Sequence, residues 1–134
     1  MARIAIVDDS PITRQMLKLM LERAGHQVVA FMDNGRDAVL RVPAYQADVL
    51  LLDMLLPQLD GVEVLERLKR QGALPPTIVL SSVTSIEKVR AACDAGAAAY
   101  MLKPFDADHL LEAVAHLLAM PPRDGQMSPE TRGF

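Results

Sequence analysis

Five short aliphatic runs, at residues 4–7, 27–31, 49–52, 77–80 and 98–102, alternate with five segments of helical periodicity. That alternation leaves the chain very few folds. The runs are continuous in apolar residues rather than alternating with polar ones, the pattern of strands covered on both faces. The run at 27–31 is the weakest and is expected nearer an edge. Strands separated by helices join through right-handed crossovers, so the expected architecture is α/β, a doubly wound parallel sheet with helices on both sides.

The helices carry their own punctuation. Ser10 reads as an N-cap, with Pro11 at the first helical position and Gly25 beyond the end. Ile12, Met16, Leu19 and Met20 recur at helical spacing and are the expected apolar face. Asn34 and Gly35 open the second helix, which is expected to close by Pro43 or Ala44. Asp60 with Glu63, and Thr84 with Glu87, read as capping boxes for the third and fourth, which stop at Gly72 and Gly96. Asp106 caps the fifth, where Leu110, Leu111, Val114, Leu117 and Leu118 form the buried face. One domain is expected over residues 1–120. Residues 121–134, with three prolines and almost nothing apolar, read as a flexible tail or the start of a linker.

Composition narrows the function. A formal net charge of -3 without any block of like charge argues against direct nucleic-acid binding. No apolar run is long enough to cross a bilayer, and the N-terminus reaches acids too soon for a signal peptide. The single cysteine, Cys93, is expected in the core and implies a reducing compartment, with the cytoplasm as the default. His26, His109 and His116 are scattered and expected at the surface, and the eight methionines are read as packing.

In an open α/β sheet, ligands bind at the carboxyl ends of the strands. The first run ends in Asp8 and Asp9, the third in Asp53, the fourth in Ser81 and Ser82, and the fifth in Lys103. Adjacent acids at the end of a core strand are either a solvent-facing turn or part of a cation site, because like charges brought together cost free energy. Three carboxylates at one sheet edge favour the cation reading, and oxygen ligands favour a hard ion such as magnesium. A carboxylate beside such an ion can attack a phosphoryl group and become an aspartyl phosphate. A lysine and a hydroxyl would then meet the transferring oxygens. Asp53, alone at the end of a central strand, is the expected phosphoacceptor. Asp60 is read as a helix cap rather than a ligand.

The segments "VDDS", "LLLDMLLPQLDG", "IVLSS" and "YMLKPF", in this order and spacing, make the chain resemble the receiver domains of bacterial two-component response regulators over roughly residues 3–119. The resemblance implies a flavodoxin-like sheet of five strands in the order 2-1-3-4-5 with five helices. It implies that Asp8, Asp9, Asp53 and the backbone carbonyl of Leu55 hold magnesium, with manganese as an alternative. Ser81 matches the switch hydroxyl, Lys103 the phosphate-contacting lysine, and Tyr100 the aromatic that reports phosphorylation. Pro57, Gly61, Ser82 and Pro104 are structural at the site, and the Lys103-Pro104 bond is expected to be cis.

The resemblance also implies that Leu55 and Ser82 occupy positions which, in that family, influence access of water to the phosphoryl group. An apolar Leu55 cannot orient a water, so slow self-dephosphorylation is expected. A flavodoxin is disfavoured because Asp8 and Asp9 would repel the flavin phosphate. A phosphatase is disfavoured because leucine, not an acid, stands two residues after Asp53.

The expected function is that of a stand-alone receiver, not an enzyme acting on outside substrates. A histidine kinase or phosphotransfer protein would phosphorylate it, and it would bind a target through the fourth helix, fifth strand and fifth helix, residues 85–120. A monomer or a phosphorylation-dependent dimer is expected. The alternatives are a receiver belonging to a longer regulator with an output domain, or a phosphorelay intermediate.

Overall fold

A computed structural model describes residues 2–120. The elements follow in strict alternation: β1 (Arg3–Val7), α1 (Pro11–Arg23), β2 (Gln27–Met32), α2 (Gly35–Tyr45), β3 (Val49–Asp53), α3 (Gly61–Arg70), β4 (Thr77–Ser81), α4 (Ile86–Asp94), β5 (Ala99–Leu102) and α5 (Ala107–Ala119). The five strands form one parallel sheet in the order β2-β1-β3-β4-β5. This is the flavodoxin-like arrangement that the resemblance implied.

The central strands explain the continuous apolar runs. Successive side chains point to opposite faces. Ala5, Val7, Leu50, Leu52 and Val79 join a core with α2, α3 and α4 residues such as Val42, Leu65 and Ala92. Ile4, Ile6, Leu51, Ile78 and Leu80 enter a second core with Leu17 and Leu21 of α1 and Leu110 and Val114 of α5. Every residue of β3 and β4 is buried. The strands β2 and β5 lie at the edges and are only partly covered.

Caps at Ser10, Asn34, Asp60 and Asp106 form as expected, each side chain accepting from the backbone N–H three residues on. Several local readings need correction, among them Leu118, expected on the buried face of α5 but exposed. Thr84 does not cap α4: Ser85 is the extended N-cap residue and makes no side-chain cap bond, so Glu87 falls one position early for a capping box. Pro43 lies inside α2, which continues to Tyr45 and stops at left-handed Gln46. In α1 the sheet-facing residues are Leu17 and Leu21, with Met20 partly buried, whereas Ile12, Met16 and Leu19 are exposed. Cys93 is exposed, because α4 turns Ala92 and not its neighbour toward the core. His109 and His116 are exposed, but His26 is half-buried, its Nδ1 accepting from the Ala2 N–H at 3.2 Å. The tail or linker expected over residues 121–134 lies outside the described residues.

Candidate functional site

Parallel strands bring all their carboxyl ends to one edge, so residues far apart in sequence meet there. Asp8 follows β1 directly and is buried; its backbone N–H still donates to Met32 O. Its Oδ1 accepts from the Ser10 N–H at 2.9 Å, and its Oδ2 accepts from Lys103 Nζ at 3.0 Å. Asp53 ends β3, also buried, with Oδ1 accepting from the Leu55 N–H at 3.2 Å and Oδ2 lying 3.4 Å from Lys103 Nζ. Asp9 is exposed.

Carboxylate oxygens of Asp8, Asp9 and Asp53 all lie within 4.8 Å of one another. The donor set is entirely oxygen, anionic and open to solvent on the Asp9 side, which fits a hard divalent cation that retains waters. Lys103 stands against Asp8 and Asp53, each through Oδ2, leaving Asp9 without a side-chain partner among the described residues.

Burial raises the Asp53 pKa, and the charge of Asp8 pushes the same way; Lys103 and the Leu55 N–H oppose them without cancelling the effect. Burial works against the Lys103 ammonium. Its hydrogen bond to Asp8 and the charges of Asp53 and Asp8 outweigh that, so its pKa is raised. The Asp53 carboxylate is thus poorly solvated and flanked by a fixed cation.

The remaining expected residues surround this centre. Ser81 is buried at the end of β4, but its Oγ accepts from the Val83 N–H at 3.0 Å and makes no bond to Asp53. Half-buried Tyr100 donates from its hydroxyl to Val83 O at 2.9 Å. Ser82 is exposed, as are the Leu55 side chain and Pro104, and the Lys103-Pro104 bond is cis. A Cβ on Gly61 would stand 2.8 Å from Asp53 O, so only glycine lets α3 start so close beneath Asp53. Pro57 contributes through its carbonyl, which accepts from the N–H groups of Gly35 and Leu59.

Two supporting residues escaped the reading of the sequence. Gly35 at the start of α2 touches the loop after Asp53 so closely that a Cβ would overlap the Leu59 carbonyl oxygen. Its Asn-Gly signal was visible, but only as a helix start. Arg14, a turn into α1, donates from Nη1 to the Asp8 carbonyl oxygen at 2.7 Å. In one sequence it is indistinguishable from any exposed helical arginine.

A doubly wound sheet of this order, with three acids and a lysine at its carboxyl edge, defines a phosphorylation-type signalling module. The chain belongs to the response regulator receiver domain family, whose model matches residues 4–115. It is 37% identical over 112 residues to the chemotaxis protein CheY of Bacillus subtilis, covering 84% of this chain and 93% of that protein. It is 36% identical over 120 residues to the DNA-binding dual master transcriptional regulator RpaA of Synechocystis, covering 88% of this chain but 49% of that one. Among solved structures, the receiver domain of a signal transduction histidine kinase from Syntrophus aciditrophicus superposes with a TM-score of 0.81 at 31% identity, over 96% of this chain and 98% of that domain. Receivers similar to this chain thus occur both nearly alone and within longer proteins. No helix among the described residues is long and apolar enough to cross a membrane.

Proposed function

We propose that Asp53 accepts a phosphoryl group from a phosphohistidine on a histidine kinase or phosphotransfer protein, and that the resulting charge switches binding of a downstream protein. The observation that carries this reading is the Asp53 carboxylate, buried 3.4 Å from Lys103 Nζ and within 4.8 Å of the other two acids. An Asp53 oxygen attacks phosphorus, forming the O–P bond as the P–N bond breaks and the donor ring nitrogen keeps the electron pair. Lys103 meets the charge on the transferred oxygens. Asp8, Asp9, Asp53 and the Leu55 carbonyl would hold magnesium, or manganese in its place, which when bound neutralises the phosphoryl oxygens.

The switch reading rests on Val83. Its N–H is held by Ser81 Oγ and its carbonyl by the Tyr100 hydroxyl. If Ser81 turns to a phosphoryl oxygen, the Val83 N–H is released, and the bond to Tyr100 is disturbed with it. A two-state equilibrium shifted in this way needs only a differential contact in one state. Exposed Ile86 on α4, Leu102 on β5, Leu118 on α5 and Met120 just beyond α5 offer apolar contacts to a target. Exposed Ile12, Met16 and Leu19 on α1, together with Leu55, offer the same to the phosphodonor. The protein acts as a monomer or as a phosphorylation-dependent dimer in the cytoplasm, and does not turn over outside substrates, since no acid stands at position 55 to protonate a leaving group.

Coverage of 93% of the Bacillus protein supports a stand-alone switch. Coverage of 49% of the Synechocystis regulator supports the second reading, a receiver within a longer protein or relay. The test is intact-protein mass after incubation with magnesium and acetyl phosphate, beside Asp53→Ala. One added phosphate, absent in the variant and without magnesium, is expected; no added mass together with no magnesium binding would overturn the proposal.

A further inference from the structure

Asp9 is the acid that nothing holds directly. It is exposed, and its carboxylate has no hydrogen-bond or ion-pair partner among the described residues, while Asp8 and Asp53 are both buried and tied to Lys103. Its place near the other two carboxylates is therefore set by the backbone on either side of it. On one side, Asp8 donates its N–H to Met32 O and accepts the Ser10 N–H through Oδ1. On the other side, Ser10 accepts from Thr13 N–H through Oγ as the cap of α1.

One residue joins the two sides. Arg14 donates from Nη1 to the Asp8 carbonyl oxygen at 2.7 Å, reaching back from a backbone that the ordinary helical bond of its N–H to the Ser10 carbonyl, at 3.0 Å, fixes in the first turn of α1. The Asp8 carbonyl belongs to the peptide unit that leads into Asp9, so fixing that oxygen fixes the plane from which the Asp9 side chain departs. A planar guanidinium holds a carbonyl direction better than a flexible ammonium does, and a hydrogen bond from a charged donor is among the stronger ones.

We propose that Arg14 is a positioning residue for Asp9: by tying the Asp8 carbonyl to the first turn of α1, its guanidinium sets where the Asp9 carboxylate stands toward a divalent cation. This rests on the magnesium-dependent reading above. It also makes a prediction of unusual sign. As a charge alone, Arg14 repels a cation, and its removal would tighten magnesium binding. As a positioning group, its removal loosens Asp9 and weakens binding.

The experiment is calorimetric titration of magnesium into the wild type, Arg14→Gln, Arg14→Lys, Asp9→Asn and the Arg14→Gln/Asp9→Asn pair, with a thermal melt of each. Loss of an outer group that orients a ligand costs metal affinity roughly tenfold. A weakening of that order is expected for Arg14→Gln, and a smaller weakening for Arg14→Lys although the charge remains. In the Asp9→Asn background the same Arg14→Gln change is expected to alter affinity by less than about twofold, the mark of two residues acting as one unit. Unchanged or tighter binding in Arg14→Gln overturns the proposal, as does an effect equally large with and without Asp9. Should Arg14→Gln fail to fold, Arg14→Lys with and without Asp9→Asn gives the same comparison. A wild type that binds no magnesium removes the functional reading and this inference with it, whereas magnesium binding indifferent to Arg14 removes only the inference.

Discussion

Lys103 Nζ lies nearer to Asp8 Oδ2, at 3.0 Å, than to Asp53 Oδ2, at 3.4 Å, although Asp8 is ninety-five residues away in the chain. The lysine is thus the counterion of two buried acids at once. Lys103→Met should leave Asp8 and Asp53 facing each other without a cation. Breaking a buried ion pair from one side typically costs about 3 kcal/mol or more, and the partial exposure of Lys103 reduces that. A loss of roughly 2 kcal/mol in urea unfolding at neutral pH is expected, partly restored by added magnesium. An unchanged midpoint would mean that the acids are not coupled through the lysine.

Asp53 has a raised pKa, chiefly from burial. In the pH window between its unfolded and folded pKa values the native state holds the extra proton, so stability falls as pH rises through that window and stays lower above it. Asp53→Asn removes the ionised group and should be the more stable protein at neutral pH, by about 1 kcal/mol. The difference should vanish as the pH drops below the ordinary carboxylate range. Paired melts across pH check both the sign and the window.

Leu55 places an exposed apolar side chain two residues after Asp53, the proposed acceptor. Leu55→Asn supplies a group that can hold a water against the phosphorylated Asp53. A single hydrogen bond of about 1 kcal/mol is worth roughly fivefold in rate. Decay of the phosphorylated mass should therefore be severalfold faster in the variant than in the wild type; an equal or slower decay would remove Leu55 from the control of lifetime.

Gly35 permits α2 to meet the loop that follows Asp53. In Gly35→Ala the added methyl collides with the Leu59 backbone, which cannot move aside as a side chain can. Overpacking of this kind costs about 1–3 kcal/mol. Chemical denaturation should show that loss, and the shift in the loop should also slow phosphorylation by acetyl phosphate.

His26 sits at the opposite end of the sheet, and its pKa is lowered, first by burial and then by the nearby N-terminal charge. The neutral ring accepts from the Ala2 N–H, which a protonated Nδ1 cannot do. The unfolded chain therefore takes up the proton first as pH falls below about 6.5, and stability declines from there until the folded ring also titrates. His26→Gln should flatten that part of the stability profile while leaving phosphorylation untouched.

The order of elements, most caps and the acids at the strand ends were legible in the chain because each is written locally. A continuous apolar run, or a serine three residues before the N–H it accepts from, involves neighbours only. The failures share a different cause. Ile12, Met16 and Leu19 recur with the same helical period as Leu17 and Leu21, so spacing could not say which stripe of α1 meets the sheet. Cys93 and Ala92 are adjacent, and only the roll of α4 against β5 decides which is buried.

By itself, then, the sequence determined an alternating α/β chain that must close as a parallel sheet, with Asp8, Asp9, Asp53, Ser81 and Lys103 delivered to one edge. Tertiary structure alone decided the pairings at that edge: Lys103 closer to Asp8 than to Asp53, Ser81 and Tyr100 converging on Val83, Gly35 against the Leu59 carbonyl, and Arg14 on the Asp8 carbonyl. The physical reason is that strand and helix signals are written in regular backbone hydrogen bonds and burial periodicity, whereas these contacts either join separate elements, as Lys103 to Asp8 and Gly35 to Leu59 do, or, as with Ser81 to Val83 and Arg14 to Asp8, depend on the rotamer that the packed surroundings select.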